Sequence, residues 1–148
     1  MGYPNKSSLT IMRALTSTHH HAARYAFIIA ALFAICAVFG IMHHEMWRDE
    51  LQAWMIARDS TSITQLFQHL KYEGHPGLWH MLLMPLSRTV GVAQSMQWLH
   101  IAIATLSIYV LARFSPFTWP QKILISLSYF FFYEYSILSR NYGIGVLC

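Results

Sequence analysis

The stretch YAFIIAALFAICAVFGIM, from Tyr25 to Met42, carries no charged residue and no proline over 18 positions. An α-helix rises about 1.5 Å per residue, and a hydrocarbon core about 30 Å thick takes about 20 apolar residues to cross. The stretch is therefore read as a transmembrane helix. A basic segment precedes it, as in a secretory signal peptide. It is long for that role and lacks a clear small-x-small cleavage site, so it is read as an uncleaved anchor.

Composition points the same way. Hydrophobic residues make up 55% of the 148, charged residues 11%, and the mean hydropathy is +0.38. Soluble domains carry about 25% charged residues. The net charge of +4 does not imply nucleic acid, because the basic residues are scattered and flank apolar runs. Basic residues belong at span ends. Cys36 and Cys148 both lie in apolar runs and have neither metal-ligand nor disulfide spacing. Cys36 reads as a small packing residue.

The expected fold is all-α: a polytopic helical membrane protein with about three transmembrane helices and two amphipathic interfacial helices in the first external loop. Residues 1–23 form a polar tail, with a His19-His20-His21 run read as solvated. Residues 24–148 form the membrane domain. Its spans are 25–42, 91–112 and 119–138, its first loop is 43–90, and a further helix starts at 142–148. Lys122 is expected to snorkel outward. Trp119, Tyr133 and Tyr135 suit aromatic belts.

The first loop is patterned. Asp49 can cap a helix from Glu50 to about Arg58. Ser62-Ile63-Thr64-Gln65 fits a capping box, and Ile63, Leu66, Phe67 and Leu70 fall on one helical face. Gly74 suits a helix stop, and Pro76 can begin the next helix. There Leu78, Trp79, Leu82, Leu83 and Leu86 mark one face, and Pro85 interrupts a segment too short to span. Both helices are read as lying in the interface. The basic residues do not orient the chain. Lys6, Arg13, Arg24, Arg113 and Lys122 on one side balance Arg48, Arg58, Lys71, Arg88 and Arg140 on the other.

The candidate chemistry gathers on the loop side. Asp49-Glu50 follows the first span, Glu73-Gly74-His75-Pro76 precedes the second interfacial helix, and Arg140 and Tyr142 follow the third span. A carboxylate there can act as general base on a hydroxyl, and an arginine can bind phosphate bidentately. Plainer readings stand beside these. Asp49 can be only an N-cap, Glu73 and His75 can decorate a turn, and Arg140 can be an interfacial anchor. His43-His44-Glu45 lacks the H-E-x-x-H pattern, so no metal site is read. Glu134 near a span end is a further ionisable residue of interest.

Trp47-Arg48-Asp49-Glu50-Leu51-Gln52-Ala53-Trp54, then Tyr72-Glu73-Gly74-His75-Pro76-Gly77-Leu78-Trp79, then Ser139-Arg140-Asn141-Tyr142-Gly143 together resemble the N-terminal part of GT-C glycosyltransferases. That family includes bacterial relatives of protein O-mannosyltransferases and lipid A aminoarabinose transferases. The resemblance covers residues 25–148. It implies a transferase that moves a sugar from a polyprenyl-phosphate donor to an acceptor hydroxyl on a glycan, lipid or protein. Asp49, with Glu50 beside it, would be the catalytic base. Arg140 would engage the donor phosphate, and Glu73, His75 and Tyr142 would belong to the substrate site. It names no cofactor.

The resemblance also implies a bacterial inner membrane location, a cytoplasmic N-terminus and a periplasmic first loop. Gly77 stands where relatives often carry a second proline. The chain is far shorter than the family's many spans and soluble C-terminal region, so it reads as an N-terminal fragment, inactive alone. The alternative is a small non-enzymatic membrane subunit or part of a transporter.

Overall fold

The computed structural model describes residues 6–71, 73 and 76–147, with side chains from His21 onward. The expectations for residues 1–5, Tyr72, Gly74, His75 and Cys148 lie outside the described residues. Every regular element among those described is helical: α1 (Lys6–Met42), α2 (Arg48–Asp59), α3 (Ile63–Leu70), α4 (Gly77–Thr89), α5 (Gln94–Phe114), α6 (Trp119–Ser126), a π-helical segment (Tyr129–Ile137) and α7 (Tyr142–Leu147). The polar segment from Lys6 onward is continuous with the apolar helix rather than a separate tail.

Two helical stretches, His21–Met42 and Gln94–Phe114, are long and apolar enough to cross a membrane. They pack on each other. Ala26, Ala30, Phe33, Ala37 and Ile41 recur at helical spacing and are buried on one face of α1. Phe33, Ala37 and Ile41 meet Ile101, Ala104 and Ile108 of α5. The alanines let the two backbones approach closely, as small residues do between spanning helices. The other face of α1 is equally apolar and open: Phe27 is 67% exposed, Ile35 66% and Phe39 66%. Cys36 lies on this outward side, not in the packing. A helix apolar all round is one that buries every face, in a large core or in lipid.

The expected third span is not one helix. α6 ends at Ser126, whose hydroxyl donates back to the Lys122 carbonyl at 2.7 Å. Such back-bonding bends helices. The chain turns at Leu127 and Ser128 and resumes as the π-helical segment. Lys122 does not snorkel outward either. It is buried, and its ammonium donates to the Ala112 carbonyl at 2.6 Å. That carbonyl closes α5, where the residue four positions on is Pro116, which has no N–H to offer. A cation at a helix C-terminus also meets the negative end of the dipole.

The first loop folds into three short helices. α2 begins one residue before Asp49, so Trp47 and not Asp49 is the cap, and Asp49 sits in the first turn. The Ser62 hydroxyl accepts from the Gln65 N–H, while the Gln65 side chain reaches back to Thr61. α4 runs unbroken through the exposed Pro85. Its buried face is Trp79, His80, Leu83, Met84 and Ser87, leaving Leu78, Met81 and Leu82 outward beside Ile63 and Phe67 of α3. Arg88 ties the end of α4 to the Ser60 and Thr61 carbonyls, both at 2.9 Å. Gly91, at φ +71°, makes the turn into α5, so that helix starts three residues later than the apolar run suggests.

Replacing Ala37 with Leu overpacks the α1–α5 contact and is expected to cost about 1–3 kcal/mol. Cys36→Leu on the open face stays within about 0.5 kcal/mol. Unfolding midpoints of the full chain decide this, and equal midpoints for the two variants would refute the packing.

Candidate functional site

The site starts from Glu50, the most enclosed charged group in the first loop. Its side chain is 0% exposed and its two oxygens meet three donors. Oε2 accepts from the Trp47 backbone N–H at 2.8 Å and from the His44 imidazole at 2.9 Å. Oε1 accepts from the Ser139 backbone N–H at 2.7 Å. A buried carboxylate is tolerated when its lone pairs are met in this way. The first contact starts α2. The last ties the first loop to the turn after the π-helical segment, across 89 residues. Glu50 therefore does not share an open site with Asp49; it holds the scaffold behind it.

Asp49 and Arg140 are the pair that this contact brings together. Arg140 Nη2 lies 3.1 Å from Asp49 Oδ2, with the Asp49 side chain 54% exposed and that of Arg140 23% exposed. The guanidinium also lies over the Tyr142 ring, 5.2 Å from its centroid. Beside the pair opens a cavity of about 160 Å³, lined by Asp49, Gln52, Glu73, Trp79, Arg140 and Asn141 among others. A cavity of about 150 Å³ accommodates a six-membered ring. Glu73 accepts from the Gln52 amide at 2.9 Å across the wall. The Trp79 indole N–H is buried with no hydrogen-bond partner among the described residues. Most buried donors find a partner, so one left open beside a polar cavity suits a ligand oxygen.

Of the residues singled out in the sequence, Asp49, Glu73 and Arg140 line this cavity and Tyr142 lies under the Arg140 guanidinium. Glu50 lies behind it, and His75 lies outside the described residues. Glu134 is engaged elsewhere, accepting from the Tyr129 hydroxyl at 2.8 Å. His43 bonds to the Phe39 carbonyl at 2.9 Å, and His44 is committed to Glu50. Among the described residues no three His, Cys, Asp or Glu side chains gather to hold a metal ion. Gln52 and Trp79 escaped sequence reasoning because neither is titratable. Both lie within the quoted motif strings, one helical turn past Asp49 and just after Pro76. No family model, curated protein or solved structure matches the chain.

Glu50→Gln leaves one oxygen for donors that now use two, and sets an amide N–H₂ against an N–H. It is expected to lower stability by about 1–3 kcal/mol. Asp49→Asn, at a half-exposed position, is expected to stay within about 0.5 kcal/mol. Thermal unfolding of the two variants checks the contrast; equal losses would contradict the division of roles.

Proposed function

We propose that this chain forms the N-terminal part of a helical membrane glycosyltransferase of the GT-C type, transferring a sugar from a polyprenyl-phosphate donor to an acceptor hydroxyl. The observation that carries the reading is the Asp49–Arg140 pair, 3.1 Å apart at the rim of a polar cavity sized for one ring. The ordered motifs around Asp49, Glu73 and Arg140 supply the resemblance, and the open apolar face of α1 supports a lipid setting.

In this reading the donor phosphate takes the Arg140 guanidinium and so releases Asp49. The freed carboxylate accepts the proton of the acceptor hydroxyl as its oxygen attacks the anomeric carbon. The bond from that carbon to the phosphate oxygen breaks, and the lipid phosphate leaves with the electron pair. Arg140 steadies its growing charge. Direct displacement inverts the anomeric centre. Glu73 and Gln52 hold sugar or acceptor hydroxyls, Tyr142 backs the guanidinium, and the resemblance adds His75 to the substrate residues. The acceptor is a glycan, lipid or protein.

The proposed setting is the bacterial inner membrane, with α1, α5 and the broken α6–π segment crossing it and the N-terminus cytoplasmic. A broken helix is tolerated at membrane depth where protein covers it. α3 and α4 would rest at the external surface, with Ile63, Phe67, Leu78 and Leu82 toward lipid.

Asp49→Asn in the full-length protein is expected to cut turnover of a polyprenyl-phosphate sugar by about 10²- to 10⁴-fold, the usual contribution of a general base, with folding unchanged. Near-normal turnover would sink the mechanism. The topology is tested separately by placing cysteines at Lys71 and Val92, either side of α4. Both are expected to label from the outer side; labelling from opposite sides would make α4 a span and overturn the arrangement.

A further inference from the structure

We infer that His100, with Gly143 beside it, is a positioning residue that sets the Arg140 guanidinium against Asp49. Its consequence for catalysis rests on the transferase reading; its structural part rests on the turn alone. His100 lies in the first third of α5 and is 0% exposed. Its Nδ1 lies 3.1 Å from the Ser136 carbonyl and its Nε2 3.0 Å from the Arg140 carbonyl. Carbonyl oxygens only accept. A doubly protonated ring therefore satisfies both, and either neutral tautomer satisfies one.

The two carbonyls belong to the end of the π-helical segment and to Arg140 itself. The last carbonyls of a helix lack helical partners, which leaves that of Ser136 for a donor from elsewhere; that of Arg140 lies in the turn before α7. Glu50 grips the same turn from its other polar group, accepting the Ser139 N–H at 2.7 Å. The Ser139–Arg140 backbone is thus held between a carboxylate from α2 and an imidazole from α5. The Trp79 ring backs the imidazole edge-on, 5.3 Å between centroids.

Gly143 makes the reach possible. A Cβ at that position would lie 2.6 Å from His100 Nε2 and 3.0 Å from the Tyr135 carbonyl. Any larger residue must displace either the ring or the backbone that carries Gly143, and either shift disturbs the contact with the Arg140 carbonyl. With the backbone of Arg140 fixed, its side chain need only settle over Tyr142 to meet Asp49. Holding a reacting constellation by packed neighbours is what keeps it within productive geometry.

The test compares Gly143→Ala, His100→Ala, the double variant and His100→Gln in the full-length protein. Two readouts are used: steady-state kinetics with a polyprenyl-phosphate sugar, and amide hydrogen exchange of residues 139–141. Gly143→Ala is expected to raise the donor KM about tenfold, the scale of one hydrogen bond. It should leave kcat within about twofold and speed exchange in the turn. In the His100→Ala background it should add nothing, since its effect runs through the ring. His100→Gln, whose amide can still donate, is expected to recover part of the donor KM. A merely structural role would lower the folded fraction and apparent kcat while leaving KM alone. Additive effects, or unchanged KM and exchange in Gly143→Ala, would overturn the inference. A wild-type full-length protein that never turns over the donor would remove the transferase reading, while the exchange data would still decide the role of His100.

Discussion

A carboxylate taken out of water must be met by donors, and Glu50 meets that demand from three separate segments. Removing a partner from a buried charge costs about 3–5 kcal/mol, far more than an exposed pair is worth. The position of Glu50 therefore constrains everything attached to it. His44 fixes the end of the α1–α2 connection, the Trp47 N–H fixes the start of α2, and the Ser139 N–H fixes the turn after the π-helical segment. Because α2 starts where it does, Asp49 is turned to the cavity rim. Because the turn sits where it does, Arg140 can reach it.

Much of this scaffold is legible in the sequence. The uncharged run in α1, the Ser62 capping motif and Pro76 at the start of α4 each signal a local structure that formed. What escaped reading depends on neighbours distant in sequence. Hydropathy over 119–138 shows no break, since Ser126-Leu127-Ser128 changes the backbone without changing polarity much. Lys122 turns inward because Pro116 leaves an α5 carbonyl open, a demand visible only once the two helices are adjacent. The apolar stripe of α4 is rotated from its buried face: Leu78 and Leu82 face out while His80 and Ser87 face in. Two apolar faces on one short helix give the sequence no way to rank them.

The candidate site was legible in its residue types and less so in its roles. Asp49 and Glu50 are adjacent, and at 3.6 residues per turn adjacent side chains point about 100° apart. One can face a cavity only if the other does not. Which is which depends on where α2 begins, and a shift of one residue in the cap reverses it. Spacing alone puts the start after Asp49; the donors around Glu50 put it before. His100 carried a readable signal, being an ionisable residue within an apolar helix. Its partners, two backbone carbonyls, left no mark in the sequence.

The contrast between the two carboxylates also bears on how such a site could work. The Asp49–Arg140 pair is half open to solvent, and exposed ion pairs contribute about 0–1 kcal/mol. A phosphate offers the guanidinium a bidentate partner that is stronger than a single carboxylate contact. Exchange of Asp49 for phosphate therefore faces little opposition. Had the base been Glu50, the same exchange would have required breaking a buried network that holds the first loop to the turn. A group that must change partners in each cycle belongs where pairing is weak, and a group that must never move belongs where it is strong. The two neighbours divide along that line, which is why the proposed mechanism assigns the proton to Asp49 and the architecture to Glu50.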